Sequence, residues 1–170
     1  MDILDFEPII KTKAIVVKSA IDKKKDSVIM IAEIGPGESG PPMHIHPNQE
    51  ESYEVLEGTA EFMLGDEKII VRQGDKIEIP TNTPHTFRNN TDQWLRMRDT
   101  HTPALTFEEM MRELHNLVLT GKIKGFTNFK SLIYLSILWV KHKDVQRSTK
   151  PPFFVMKFMA AIGKLFGYKV

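Results

Sequence analysis

The sequence predicts a mainly β fold, a sandwich or a closed barrel, followed by about three α-helices. From Ala14 to about Ala104, short β-like runs alternate with turn residues. After Pro103 the apolar residues change to a helical period. The chain has 170 residues, 41% of them hydrophobic, which suffices for one domain with an appendage. We therefore expect a β-barrel domain over residues 1–103 and a helical extension over residues 104–170.

Eight segments have the length and composition of strands. They are AIVVKSA, SVIMIAEIG, ESYEVLEG, AEFMLG, KIIVRQG, DKIEIP, HTFRNN and WLRMRDTH. The segments between them, IDKKKD, LGDEK, RQGD and PTNTP, are rich in turn-forming residues. Short strands at such intervals are typical of a sandwich or a closed barrel.

The first two helices are predicted from capping residues and apolar period. TFEEMMRELHNLVLTG places Thr106 and Glu109 at the spacing of a capping box and ends at Gly121. The second helix begins at about Asn128 and continues through FKSLIYLSILWVKH. Its uncharged decamer SLIYLSILWV predicts burial against the barrel or a partner subunit.

The third helix follows STKPP, where Ser148 or Thr149 would cap it, and continues through FFVMKFMAAIGKLFG. Its lysines fall seven residues apart and predict one basic stripe: Lys150, Lys157 and Lys164. Apolar residues are placed opposite them: Phe154, Phe158, Ala161 and Leu165. We expect this apolar side to pack on the domain. A helix lying in a membrane surface is the alternative.

Composition excludes several classes of function. The net charge of +1 and the absence of a basic recognition helix give no reason to expect a nucleic acid partner. There is no cysteine, so metal chemistry would fall to nitrogen and oxygen ligands. The start, MDILDFEPIIKTK, lacks the pattern of a secretory signal, and no apolar run spans a bilayer, so we expect a soluble cytoplasmic protein.

Metal-ligating residues cluster in HIHPNQEESYEVLEG. His44 and His46 have the same parity, so on a strand both imidazoles reach one point. Glu51 begins the next strand, and His85 follows a proline-framed turn as a fourth candidate. Three imidazoles and one carboxylate suit Mn, Fe, Co, Ni, Cu or Zn better than Ca or Mg.

These residues resemble the two motifs of the cupin family. The first motif, G-x5-H-x-H-x(3 or 4)-E-x6-G, matches residues 44–58 as H-x-H-x4-E-x6-G, with its leading glycine out of register. The second, G-x5-P-x-G-x2-H-x3-N, matches residues 74–89, with Asn82 in place of the turn glycine. Asparagine tolerates positive φ better than other non-glycine residues, so this turn is expected to survive.

The resemblance covers residues 35–102 and implies a cupin-type double-stranded β-helix, a jelly-roll barrel of two packed sheets. It also implies one divalent transition metal per chain, with Fe or Mn expected first and Ni, Zn, Co or Cu as the others. The implied ligands are His44, His46, Glu51 and His85. The neighbouring Glu50 is the rival carboxylate, but the family spacing selects Glu51.

Cupins include dioxygenases, isomerases, decarboxylases, storage proteins and sugar-sensing regulators, so the fold leaves function open. We expect a metal-dependent enzyme, a dioxygenase-like oxidoreductase or an isomerase, acting on a small organic molecule in the barrel. Glu51 and Tyr53 are the predicted catalytic residues. The alternatives are a module that senses a small ligand or metal, and a peripheral membrane protein. A homodimer is expected by resemblance.

The last strand-like segment, WLRMRDTH, completes the predictions. Its alternation places Leu95 and Met97 inside the barrel and Arg96 and Arg98 outside. His101 is expected on the surface, with a place at the barrel mouth as the alternative.

Overall fold

The computed structural model describes residues 2–7, 9–21, 26–126 and 128–170. It has eleven strands and three helices in the described residues. The strands are β1 (Asp2–Asp5), β2 (Thr12–Lys18), β3 (Val28–Ile34), β4 (His44–Ile45), β5 (Glu50–Glu57), β6 (Thr59–Leu64), β7 (Glu67–Arg72), β8 (Lys76–Ile79), β9 (His85–Arg88), β10 (Leu95–Thr102) and β11 (Arg147–Ser148). The helices are α1 (Phe107–Leu119), α2 (Phe129–Lys141) and α3 (Phe153–Leu165). The predicted fold class is confirmed.

Two antiparallel sheets form the β part. The first has the order β1-β2-β3-β10-β5-β8 and the second the order β11-β4-β9-β6-β7. A buried cluster takes residues from both sheets, among them Val55 and Met97 from the first and Phe62 and Phe87 from the second. The core therefore lies between two sheets that pack face to face.

Turn geometry follows from residue type at two positions. Asn82 has φ 61°, so asparagine does adopt the left-handed conformation of the turn glycine it replaces. Gly58 has φ 85°, and a Cβ built there would lie 2.7 Å from the carbonyl oxygen of Trp94. Glycine is required at residue 58 by both its conformation and this close approach.

The helix starts are partly as predicted. Asn128 caps α2, its side chain accepting a hydrogen bond from the Ser131 backbone N–H. Thr106 precedes α1 but makes no capping hydrogen bond; its hydroxyl lies 2.9 Å from Nδ1 of His142. The predicted capping box is wrong because this longer-range partner takes the hydroxyl.

The predicted start of the third helix is also wrong. Pro152 is the N-cap residue of α3, and Ser148 instead belongs to β11, which pairs with His44 of β4. The Thr149 hydroxyl donates to the carbonyl oxygen of Met43. Residues before α3 thus add a strand beside β4, which tertiary pairing dictates and a local capping pattern does not reveal.

The helices pack on the strands of the first sheet. One buried cluster contains residues of strands β1, β2 and β3 and of all three helices. Its members include Leu4, Met30, Leu117, Leu138 and Met156. The decamer of α2 is largely buried, as predicted. None of the helices described in 2–7, 9–21, 26–126 and 128–170 has the length and hydropathy to cross a bilayer.

The apolar side of α3 does not pack as predicted. Its exposed residues are Phe154, Phe158, Ala161 and Leu165. The buried side is formed by Met156, Ala160 and Gly163, which face α2 and its surroundings. The expectation of packing is therefore wrong for the residues on which it was based.

Candidate metal centre

Both sheets contribute to a cluster of three histidines and a glutamate. His44 lies on β4 directly opposite His85 of β9, and His46 follows the end of β4. Glu51 projects from β5 of the other sheet. All four residues are buried, with at most 3% of their surface exposed. The structure thus brings together the four side chains named from the sequence.

Their donor atoms converge on one small volume. One ligand atom from each residue lies within 4.8 Å of every other. Nε2 of His85 is 2.8 Å from Oε2 of Glu51, Nε2 of His46 is 3.7 Å from Oε1 of Glu51, and the Nε2 atoms of His44 and His46 are 3.1 Å apart. Donors about 2.1 Å from a shared ion lie roughly 3 Å apart at right angles and about 4.2 Å apart when opposed. The spacing fits one transition metal ion.

Backbone carbonyls fix the orientation of each ring. Nδ1 of His44 lies 3.0 Å from the Pro42 carbonyl oxygen and Nδ1 of His46 lies 2.7 Å from that of Val145. Nδ1 of His85 lies 2.9 Å from the carbonyl oxygen of Thr83. Each Nδ1 must donate to its carbonyl, which leaves the Nε2 of a neutral ring as a lone pair directed at the cluster.

Electrostatics keep two of the imidazoles neutral. Burial lowers the pKa of His44 well below 6.5 and that of His46 to about 4. Burial also raises the pKa of the Glu51 carboxyl, but the positive charge of His101 and the hydrogen bond from His85 outweigh this and hold it well below 4.5. Neutral imidazoles beside an ionised carboxylate are the protonation states that bind a cation.

Tyr53 and Glu51 share the buried face of β5, because they are two residues apart on the strand. The Tyr53 hydroxyl donates to Oε1 of Glu51 at 2.8 Å. Burial raises the pKa of Tyr53 well above 10, so the phenol stays protonated and remains a donor. Glu50, the rival carboxylate, is exposed.

The placement of His101 on the surface is wrong. It is 1% exposed, its Nε2 lies 3.2 Å from both Glu51 Oε1 and Asp99 Oδ1, and its ring stacks on Phe107 with centroids 3.5 Å apart. Asp99, Glu51 and His101 form a second group of potential ligands. The signal was present, because Asp99 and His101 have the same parity as the buried Met97.

The arginines of β10 point outward, as predicted. Arg96 pairs with Glu33 at 3.4 Å and Arg98 pairs with Glu54. These ion pairs on the outer face neutralise the two arginine side chains. Leu95, on the opposite face of the strand, is fully buried.

A cavity of about 130 Å³ extends from the cluster. His44, His46, Glu51 and Asp99 line its polar part. Thr12, Lys13, Ser39 and Gln146 also line it. Most of the remaining lining is apolar and comes from the barrel and the helices, including Met30, Ile34, Phe87, Met110, Leu114, Leu138 and Trp139. The helical extension therefore forms part of the wall around the cluster.

The four residues of the cluster lie in a region with known relatives. Residues 30–101 match a family model described as cupin domain. An uncharacterized protein of Methanocaldococcus jannaschii is 45% identical over 47 residues, 28% of this chain and 38% of that protein. Quercetin 2,3-dioxygenase of Bacillus subtilis is 38% identical over 47 residues, 28% of this chain and 14% of the enzyme. Each match thus spans well under half of the curated relative.

A solved structure shows the same fold. A predicted oxalate decarboxylase from Thermotoga maritima superposes with a TM-score of 0.51 at 17% identity, covering 54% of this chain and 80% of that one. The likeness supports the double-stranded β-helix architecture.

Proposed function

We propose that this chain, whose residues 30–101 match the cupin domain model, is a metal-dependent enzyme acting on a small, largely apolar organic molecule. Dioxygenation is the reaction class that we propose first. We propose Fe or Mn as the metal, with Ni, Zn, Co or Cu as alternatives. The observation that carries the proposal is the convergence of three imidazole nitrogens and one carboxylate beside an apolar cavity. The short match to a quercetin dioxygenase supports the reaction class.

The donor set supports a transition metal rather than Ca or Mg, because three of its four donors are imidazoles. His44, His46, Glu51 and His85 would hold the ion. A bound divalent metal supplies Lewis acidity, and a redox-active one can also exchange electrons.

Glu51 is the proposed proton acceptor. Its Oε1 accepts from the Tyr53 hydroxyl and lies 3.2 Å from Nε2 of His101. Burial lowers the pKa of His101, but Asp99 and Glu51 outweigh burial and raise it above 6.5. His101 would thus hold a proton beside Glu51, and the Tyr53 phenol would orient the carboxylate.

The cavity supports an apolar substrate. An engineered apolar cavity of about 150 Å³ holds benzene, so 130 Å³ suits a substrate ring of similar size. Met110 and Leu138 of the helices face it together with Ile34 of the barrel. Burial of apolar surface would supply binding free energy, and the cluster would orient whatever polar group the substrate carries.

A binding module is the second candidate. The Val145 carbonyl, between α2 and β11, accepts from Nδ1 of His46 at 2.7 Å. Because a residue of the extension contacts a proposed ligand, occupancy of the centre would bear directly on the extension. Such a contact would suit a sensor as well as an enzyme.

Oxygen uptake and substrate turnover distinguish the two candidates. The protein is loaded with Fe(II) or Mn(II) and mixed with a panel of catechols, flavonoids and β-diketones. If the protein is an enzyme, we expect metal-dependent turnover. Glu51→Gln should abolish this turnover, whereas His115→Ala, outside the cluster, should leave it unchanged. Binding of panel compounds without any turnover, with either metal, would favour the module. Turnover without oxygen uptake would replace dioxygenation by isomerisation or decarboxylation.

A further inference from the structure

The outer face of α3, formed by Phe154, Phe158, Ala161 and Leu165, is apolar and exposed. Phe154 is 73% exposed, Phe158 67% and Leu165 82%. Because a helix turns by about 100° per residue, these residues share one side, opposite the buried Met156. Soluble proteins rarely leave so contiguous an apolar patch in water unless it binds something.

Packing fixes the direction of this face. Gly163 lies against α2 so closely that a Cβ there would be 2.3 Å from Cγ2 of Ile133. The small residues Gly163 and Ala160 therefore define the side of α3 that meets α2. A rotation that buried Phe158 would replace this contact by larger side chains, so the outer face stays outward.

Positive charge lies along one flank of the outer face. From Val145 to Val170 the sequence has five basic residues, Arg147, Lys150, Lys157, Lys164 and Lys169, and no Asp or Glu. Lys157 and Lys164 are exposed and lie roughly 80° around the helix from the centre of the apolar face. They are thus beside the apolar residues rather than opposite them. Their long aliphatic side chains allow the ammonium groups to reach the edge of the apolar face.

We propose that α3 docks on an anionic lipid bilayer, with its outer face in the headgroup and acyl boundary and its lysines on lipid phosphates. Phenylalanine and leucine flanked by lysine are the composition of interfacial helices. Each lysine near an anionic surface strengthens binding. The occupancy of the cluster in the barrel plays no part in this docking.

A second copy of the chain is a poorer occupant. A two-fold dimer through the outer face would place the same patch on both sides of the interface. Lys157 and Lys164 of both copies would then lie at the rim of this interface, and α3 offers no carboxylate to pair with them. Like charges facing each other are unfavourable, whereas lipid phosphates neutralise them.

Vesicle co-sedimentation of the full chain tests the proposal. The vesicles are phosphatidylcholine alone, or phosphatidylcholine mixed with phosphatidylglycerol, at low and high salt. We expect pelleting with the mixed vesicles that weakens with salt. Phe154→Ser with Phe158→Ser, and separately Lys157→Glu with Lys164→Glu, should each lower the partition coefficient by roughly tenfold or more.

Matched controls lie on the barrel. Trp94→Ser with Ile70→Ser removes two exposed apolar side chains, and Lys68→Glu with Lys76→Glu reverses two exposed lysines; both controls should pellet as the native chain does. The proposal is overturned if the native chain does not pellet with the mixed vesicles, or if it binds both vesicle types equally. A dimer that the phenylalanine variants dissociate, without vesicle binding, would overturn it in favour of self-association.

Discussion

The Nε2 atoms of His44 and His46 lie 3.1 Å apart, although both rings direct Nδ1 at a backbone carbonyl. With the Nδ1 protons so engaged, two nitrogen lone pairs face each other in a buried site. Burial lowers the pKa of both rings, which disfavours a proton shared between them. A metal ion bound by both lone pairs would relieve the contact, and the Glu51 carboxylate is close enough to bind the same ion. This pair is the strongest physical argument for a metal at the cluster.

Removing one imidazole should abolish tight metal binding. His85→Ala is expected to lower the affinity for Mn(II) or Fe(II) by on the order of a hundredfold, because one of four donors is lost. Competition with a metal-sensitive dye measures this affinity. His115→Ala is the matched control, since that ring bonds the Asp5 N–H outside the cluster and should bind metal normally. Equal affinity in both variants would contradict the assignment of His85.

Tyr53 should tune the affinity without being a ligand. Tyr53→Phe removes the hydrogen bond to Oε1 of Glu51 and is expected to weaken metal binding by roughly tenfold. Isothermal titration of the purified variant with Mn(II) measures the change. Tyr134→Phe is the matched control. Tyr134 packs on Tyr168 away from the cluster, so removing its hydroxyl should not change the affinity for Mn(II). An unaltered affinity in Tyr53→Phe would mean that its hydroxyl has no part in orienting Glu51.

Glu108 should stabilise the fold only when ionised. It is buried, and its carboxylate accepts from the Ala20 N–H, the Ser19 hydroxyl and the Arg112 guanidinium. Burial raises the pKa of Glu108, but these donors outweigh burial and lower it below 4.5. A lowered pKa means that the stabilisation is present above pH 4.5 and is lost as the pH falls through the folded-state value.

Glu108→Gln is therefore expected to reduce the free energy of unfolding by about 1–3 kcal/mol at pH 7. The gap between wild type and variant should narrow below pH 4.5, as urea unfolding across pH would show. The neighbouring substitution Glu109→Gln should leave the free energy of unfolding unchanged across this pH range. A gap that stayed constant down to pH 3 would rule out the ionised form as the stabilising one.

The contact between α2 and α3 depends on the missing side chain of Gly163. Gly163→Ala should destabilise the protein by about 1–3 kcal/mol, since the new methyl would meet Ile133. In an Ile133→Ala background the same change should cost nothing or should stabilise, because alanine favours helix over glycine. Thermal unfolding of the four proteins in this cycle measures the coupling. Additive effects would show that the two residues do not meet.

The sequence predicted the parts of the fold that follow from local pattern. Eight strands were evident from short apolar runs between turn residues, and parity placed Leu95 and Met97 inside. The three histidines and Glu51 were found from their spacing. The strand β11 escaped prediction, because two residues carry no periodicity and pair with β4 only through tertiary contact.

The site was incomplete when read from sequence for similar reasons. His101 and Asp99 continue the buried parity of β10, but alternation cannot show that α1 covers the end of that strand with Phe107. Likewise, the carbonyl of Val145 reaches His46 across 99 positions of sequence. Which side of α3 faces α2 depended on Gly163, whose role appears only when two helices approach closely.

Anomalous diffraction from crystals grown with Mn(II) tests the central claim most directly. The account predicts a single manganese peak per chain at about 2.0–2.3 Å from Nε2 of His44, His46 and His85 and from an oxygen of Glu51. A folded protein with no peak among these four side chains, or with manganese bound only elsewhere, would contradict it.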